Sequence, residues 1–176
     1  RVAWEAPLGS IGLRAHPLPI SEADPRQHRD FHDLYRRRAT QAAGNLDRSD
    51  AIWERLTQGT LEETIYAYRF GPPGAEEGYV IFEQSGPPRA KYELAVRDWA
   101  ALTRDAALTL WAFLADQRSL GSKATWYGPA VEPLIALLPE AICEAKAPQR
   151  WMVRVLDVTR ALELRGWPAG RSTRKR

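Results

Sequence analysis

Between Val96 and Asp116 the chain reads VRDWAALTRDAALTLWAFLAD, and a strand pattern gives way to a helical one inside it. The first turn of a helix presents free N–H groups and the positive end of the helix dipole. Such a junction holds a ligand's phosphates when glycines let the backbone come close. This junction has no glycine. Thr103 is placed to cap the helix with its own hydroxyl, and Asp105 falls in the first turn. Asp98 stands beside the turn, and the Cβ atoms of Ala100 and Ala101 hold the backbone away. These residues close a helix terminus from within and repel a diphosphate. The reading is of a junction without a cofactor site.

Other residue types invite chemistry. His28 and His32 are four apart on one helix face, a spacing that can grip zinc. The intervening Glu of a zincin is missing and no third ligand is visible, so no metal site is expected. Asp30 and Asp33 pair more simply with Arg29, Arg36 or Arg37 along the helix. Glu62, Glu63, Glu76, Glu77 and Glu83 gather in one region. A carboxylate there can act as a base through water, but a base needs an electrophile beside it. Glu83, at the end of GYVIFE, is the one to test, as the lining of an acidic pocket for an amine. Trp99, Trp126 and Tyr127 lie near strand ends facing the usual ligand crevice of a mixed sheet. They could wall a cationic amine or pack against a neighbouring domain. All three histidines precede residue 33 with no nucleophile near them by periodicity, so no Ser-His-Asp or Cys-His arrangement is expected. Cys143, the single cysteine, reads as a small buried hydrophobe.

The elements that position these residues follow from the pattern. RVAWEAPL is a strand, and GSIGLRAHPLPISEADP a Gly- and Pro-rich loop or linker. RQHRDFHDLYRRRATQAAG places Phe31, Leu34, Tyr35, Ala39 and Ala42 on one helical stripe ended by Gly44. DRSDAIWERLTQG is a shorter helix capped by Asp47 or Ser49, with Ile52, Trp53 and Leu56 on its apolar face and Gly59 at its end. ETIYAYRFG, GYVIFEQ and KYELAVRDW alternate every second residue and are joined by tight turns, an antiparallel meander. The following helix sets Ala107, Leu110, Trp111 and Leu114 against Asp105, Thr109, Ala112 and Asp116. SKATWYG is a strand, PAVEPLIALLPEAIC a helix interrupted by Pro139, QRWMVRVLD a strand with Trp151, Val153 and Val155 on one side, and VTRALELRG a last helical turn or two closed by Gly166. The sum is an α/β (α+β) fold: one mixed sheet with helices on both faces.

The chain has 176 residues and a net charge of +3. Its end, RSTRKR, holds four of the positive charges (Arg171, Arg174, Lys175 and Arg176), so the body is nearly neutral and nucleic-acid binding is not expected. No apolar run approaches the roughly 20 residues that span a bilayer. One cysteine and no visible signal peptide suit a cytoplasmic location.

The order helix, helix, three strands, helix, strand, helix, strand resembles the GCN5-related N-acetyltransferases, the GNAT fold. FHDLYRRRATQAAGNLDRSDAIWERL, GYVIFE, LTLWAFLADQRSLGSKATW and WMVRVLDVTRALELRGWP are similar to the central domain of the Eis-type (enhanced intracellular survival) acetyltransferases, built from two GNAT-type domains and a sterol-carrier-protein-like domain. The resemblance covers residues 1–168, leaving 169–176 as a basic tail or the start of a following domain. Active GNAT domains carry Arg or Gln, two residues, Gly, any residue, then Gly or Ala at the start of the helix after the fourth strand. RDWAALTRDAAL departs from that pattern. The resemblance implies an intact enzyme that moves acetyl from acetyl-CoA, bound outside this chain, to an amine on a small molecule or a lysine side chain. This chain would be the non-catalytic central domain, and a homo-oligomer, often a hexamer, is implied by resemblance alone. The alternatives are a non-enzymatic GNAT-shaped ligand-binding or scaffold module, and a self-sufficient acyltransferase with an unusual cofactor loop.

Overall fold

The computed structural model describes residues 2–41, 45–59, 64–86, 91–148 and 154–165. Its strands are β1 (Val2–Pro7), β2 (Ile20–Ala23), β3 (Ile65–Phe70), β4 (Gly78–Ser85), β5 (Tyr92–Ala101), β6 (Gly121–Gly128) and β7 (Glu144–Pro148). Its helices are α1 (Arg29–Ala39), α2 (Asp50–Thr57), α3 (Arg104–Asp116) and α4 (Val158–Leu164). The strands form one sheet in the order β2-β3-β4-β5-β6-β1-β7. The meander β3-β4-β5 is antiparallel, as its alternation and tight turns require. β5 and β6, joined through α3, run parallel.

β4 is an interior strand, and Tyr79, Val80, Ile81 and Phe82 are all buried, so both of its faces meet core. On one face α1 and α2 bring Phe31, Leu34, Tyr35 and Trp53 against Ala67, Tyr79 and Ile81. On the other α3 brings Leu110, Trp111, Phe113 and Leu114 against Phe70, Val80, Phe82 and Val96. The expected stripe of α1 is thus its buried face. Ala42 and Gly44 lie outside the described residues. On α2, Trp53 is buried but Ile52 is exposed, because Thr57 and not Ile52 completes the inward face.

Four expectations are corrected. The stretch between β1 and α1 is more than a linker, since it contributes the edge strand β2 and crosses α3. Leu18 N–H donates to Thr109 Oγ1 at 3.1 Å, and His16 meets Asp116 at 2.7 Å. That cover explains the second correction: Thr109 and Ala112, expected on an outer face of α3, are fully buried. The stretch 129–143 makes a single 3-10 turn, Ile135–Leu137, and no longer helix. Pro129, Pro133 and Pro139 each remove a backbone donor at intervals too short for a stable helix to propagate. Among the described residues the last strand is Glu144–Pro148, antiparallel to β1, and 154–157, the end of the expected strand, is coil. Trp151 and Val153 lie outside the described residues, and Val155 is exposed coil. α4 forms where expected, capped by Asp157, whose Oδ1 accepts from Arg160 N–H at 2.9 Å.

Candidate functional site

The register of β5 decides what faces the junction before α3. Ile81 opposes Asp98 while Phe82 opposes Val96, so Arg97 is the extra residue of a β-bulge. Strict alternation would put Asp98 on the α3 side with Val96. The bulge turns Asp98 to the opposite side and brings Trp99 onto the face of Val96. Asp98 is therefore not beside the helix terminus, and the expectation that it repels an anion there is corrected. It is buried, and Arg48 donates to its two oxygens at 2.5 and 2.8 Å. The Tyr79 hydroxyl donates to the same carboxylate. Burial, then Asp98, pushes the Tyr79 phenol well above its ordinary range. The Arg48 guanidinium lies 3.6 Å from the centre of the Tyr35 ring and 4.9 Å from that of Trp53.

The start of α3 is capped by its own side chain. Thr103 Oγ1 accepts from Ala106 N–H at 3.1 Å, the expected cap, and donates to Glu77 Oε2 at 2.6 Å. Leu102 N–H donates to the Glu77 carbonyl at 2.8 Å. Glu77 thus takes the place foreseen for Asp98 as a second carboxylate, with Asp105, at this terminus. A diphosphate would meet two negative charges where a phosphate site needs open amides.

Beyond Val96 and Trp126 the parallel pairing of β5 with β6 stops and the strands separate. Val96, Trp99, Leu110, Trp111, Leu114, Trp126 and Leu134 fill the gap, leaving a cavity of only about 10 Å³. Trp111 and Trp126 meet edge to face with ring centres 5.7 Å apart. The packing has its polar needs met: Trp111 Nε1–H donates to the Leu134 carbonyl at 2.8 Å. Trp126 Nε1–H and Leu134 N–H each donate to the buried Glu132 carboxylate at 3.3 Å. Gly128 leaves room for it, because a Cβ there would fall 2.2 Å from Glu132 Oε2 and displace the carboxylate. Burial raises the Glu132 carboxyl above its ordinary value, and the two N–H donors oppose that. Arg38 covers the remaining edge, 4.0 Å from the centre of the Trp99 ring.

The four residues proposed for a substrate pocket are not brought together. Trp99 and Trp126 are buried in this filled gap. Glu83 accepts from Arg97 Nε at 2.8 Å, and Arg97 also donates to the Arg55 and Gln58 carbonyls at the end of α2. Tyr127 is 57% exposed, on the face of β6 opposite Trp126. Glu76 pairs with Arg69 at 3.4 Å, while Glu62 and Glu63 lie outside the described residues. Cys143 is half-buried, and burial pushes its thiol up to about 11, which leaves it protonated and unreactive at neutral pH. A larger opening of about 260 Å³ lies under α1, lined by residues that include His32, Tyr35, Arg48 and Trp53. Sequence reasoning missed Arg48, Tyr79 and Glu132. The bulge at Arg97 hid the first two, and the unexpected coil after β6 hid the third.

The family model described as an acetyltransferase (GNAT) domain matches residues 44–155. The chain belongs to the GNAT family. A GCN5-related N-acetyltransferase structure from Anabaena variabilis ATCC 29413 is 36% identical, with a TM-score of 0.89 over 96% of this chain and 43% of its own. A probable N-acyltransferase from Enterococcus faecalis V583 is 17% identical, with a TM-score of 0.67 over 82% of this chain and 36% of its own. Eis1 from Mycobacterium abscessus is 16% identical, with a TM-score of 0.65 over 83% of this chain and 38% of its own. The last two share the fold, and this GNAT chain spans less than half the length of each of the three. A search among curated proteins finds no match. GNAT domains typically use acetyl-CoA, and the residues at this GNAT domain's α3 terminus do not fit its diphosphate. No helix among the described residues is long and apolar enough to cross a membrane.

Proposed function

We propose that this chain is the non-catalytic central GNAT domain of an Eis-type N-acetyltransferase. The intact enzyme moves acetyl from acetyl-CoA to an amine on a small molecule or a lysine side chain. The observation that carries the reading is the paired closure of the family's cofactor position. Thr103 and Glu77 occupy the helix terminus, and three tryptophans fill the gap between β5 and β6. A filled gap with satisfied indole N–H groups is a stable core and a poor binding cleft. The partial coverage of the solved relatives supports the placement of the chemistry outside this chain. Of the four pocket candidates, Tyr127 keeps the exposure that a pocket wall or domain contact needs. Cytoplasmic location and homo-oligomeric assembly are part of the same reading.

The test is acetyl transfer to a polyamine by this chain alone and by the full-length protein that contains it. Activity in the longer protein and none in this chain supports the reading. Transfer by this chain alone overturns it.

A further inference from the structure

We propose that His28, His32 and Asp50 form a binding site for a divalent transition-metal ion, zinc being the reference case. His28 sits at the cap of α1 and His32 one turn on, so their imidazoles face each other. Nδ1 of His28 and Nε2 of His32 are 3.1 Å apart. Two ligands each about 2.0–2.1 Å from one tetrahedral ion are separated by roughly 3.3 Å, so this pair already has the spacing of a chelate. Asp50, the first residue of α2, supplies the third donor missing from the linear sequence. One ligand atom from each of the three lies within 4.8 Å of the others.

The surroundings hold this geometry. Trp53 is buried and stacks on the His32 ring at 4.6 Å between centres, which fixes the ring's plane. Asp50 is exposed and free to swing the remaining distance. Two imidazoles and one carboxylate suit Zn²⁺, Co²⁺ or Ni²⁺ in preference to Mg²⁺ or Ca²⁺, which take all-oxygen ligands. Three protein donors leave a fourth position for water or solute. The guanidiniums of Arg29 and Arg36 oppose a dication near His32, which weakens its binding there. A bound ion would tie α1 to α2, the two helices that cover one face of the sheet. The inference is independent of where acetyl transfer takes place.

The experiment is titration of the metal-free, tag-free chain with Co²⁺ followed by visible absorption, and with Zn²⁺ followed by thermal melting. The expected result is one Co²⁺ per chain with the d–d bands of a low-coordinate ion, displaced by Zn²⁺. At a hundredfold excess of Zn²⁺ over its Kd the melting temperature rises by about 5 °C or more. His28→Ala and Asp50→Asn, neither of which removes a buried group, each weaken Co²⁺ binding at least about tenfold. His16→Ala, at the third histidine, leaves it unchanged. No saturable uptake below about 1 mM Zn²⁺ overturns the site, and so does wild-type binding by either His28→Ala or Asp50→Asn.

Discussion

Replacing Arg48 with Met tests whether the cluster under α1 is an interior ion pair. Arg48 and Asp98 have side chains only 12% and 8% exposed, and they meet through two hydrogen bonds at 2.5 and 2.8 Å. Solvent therefore screens them little. Removing one member of a buried pair leaves the other charge unpaired and costs about 3–5 kcal/mol. Met keeps part of the contact with the Tyr35 and Trp53 rings, and Tyr79 still donates to Asp98, so the expected loss lies near the lower end, about 3 kcal/mol. Asp98→Asn strands the Arg48 cation and costs a similar amount. The double variant strands neither charge and recovers at least about 1 kcal/mol relative to the sum of the singles. The assay is urea unfolding followed by tryptophan emission, with Trp53 beside the pair as a reporter. A loss below about 1 kcal/mol for Arg48→Met, or strict additivity in the double variant, means a pair screened like a surface one and refutes the reasoning.

Trp126→Ala should cost about 3–5 kcal/mol in the same urea assay, because it empties a filled interior gap and removes one of the two N–H donors to the Glu132 carboxylate. Thr103→Ala should cost about 1 kcal/mol by removing the cap of α3; a loss below about 0.3 kcal/mol would mean the cap is idle. Glu132 gives a pH signature. Its folded carboxyl is raised by burial, so the folded state holds a proton that the unfolded state releases, and stability falls as pH rises from near 4.5 through the folded value. Glu132→Gln should remove that fall, measured as the difference in urea midpoint between pH 4.5 and pH 8; an unchanged difference would mean that Glu132 does not titrate in this window.

The meander was legible in the sequence because each strand alternates over its own length, and α1 because Phe31, Leu34 and Tyr35 repeat at helical spacing. The closure of α3 was legible too, since Thr103 and Asp105 are local signals read within one turn. What was not legible depends on contacts between distant segments. Alternation cannot reveal the bulge at Arg97, which turns Asp98 away from the helix terminus it is expected to stand beside. Burial of Thr109 depends on Leu18, far away in the chain. Asp50 joins His28 and His32 only once α2 packs beside α1. β2 escaped notice because four residues among prolines and glycines carry too little pattern to stand out, and its strand conformation is supported by pairing with β3.

Calorimetric titration of this chain with acetyl-CoA bears most directly on the central claim. A domain whose helix terminus is held by Thr103 and Glu77, and whose sheet gap is filled by Trp99, Trp111 and Trp126, should show no saturable heat up to about 1 mM ligand. One-to-one binding at micromolar concentration, competed by free coenzyme A and weakened by substitution at Thr103, would contradict it.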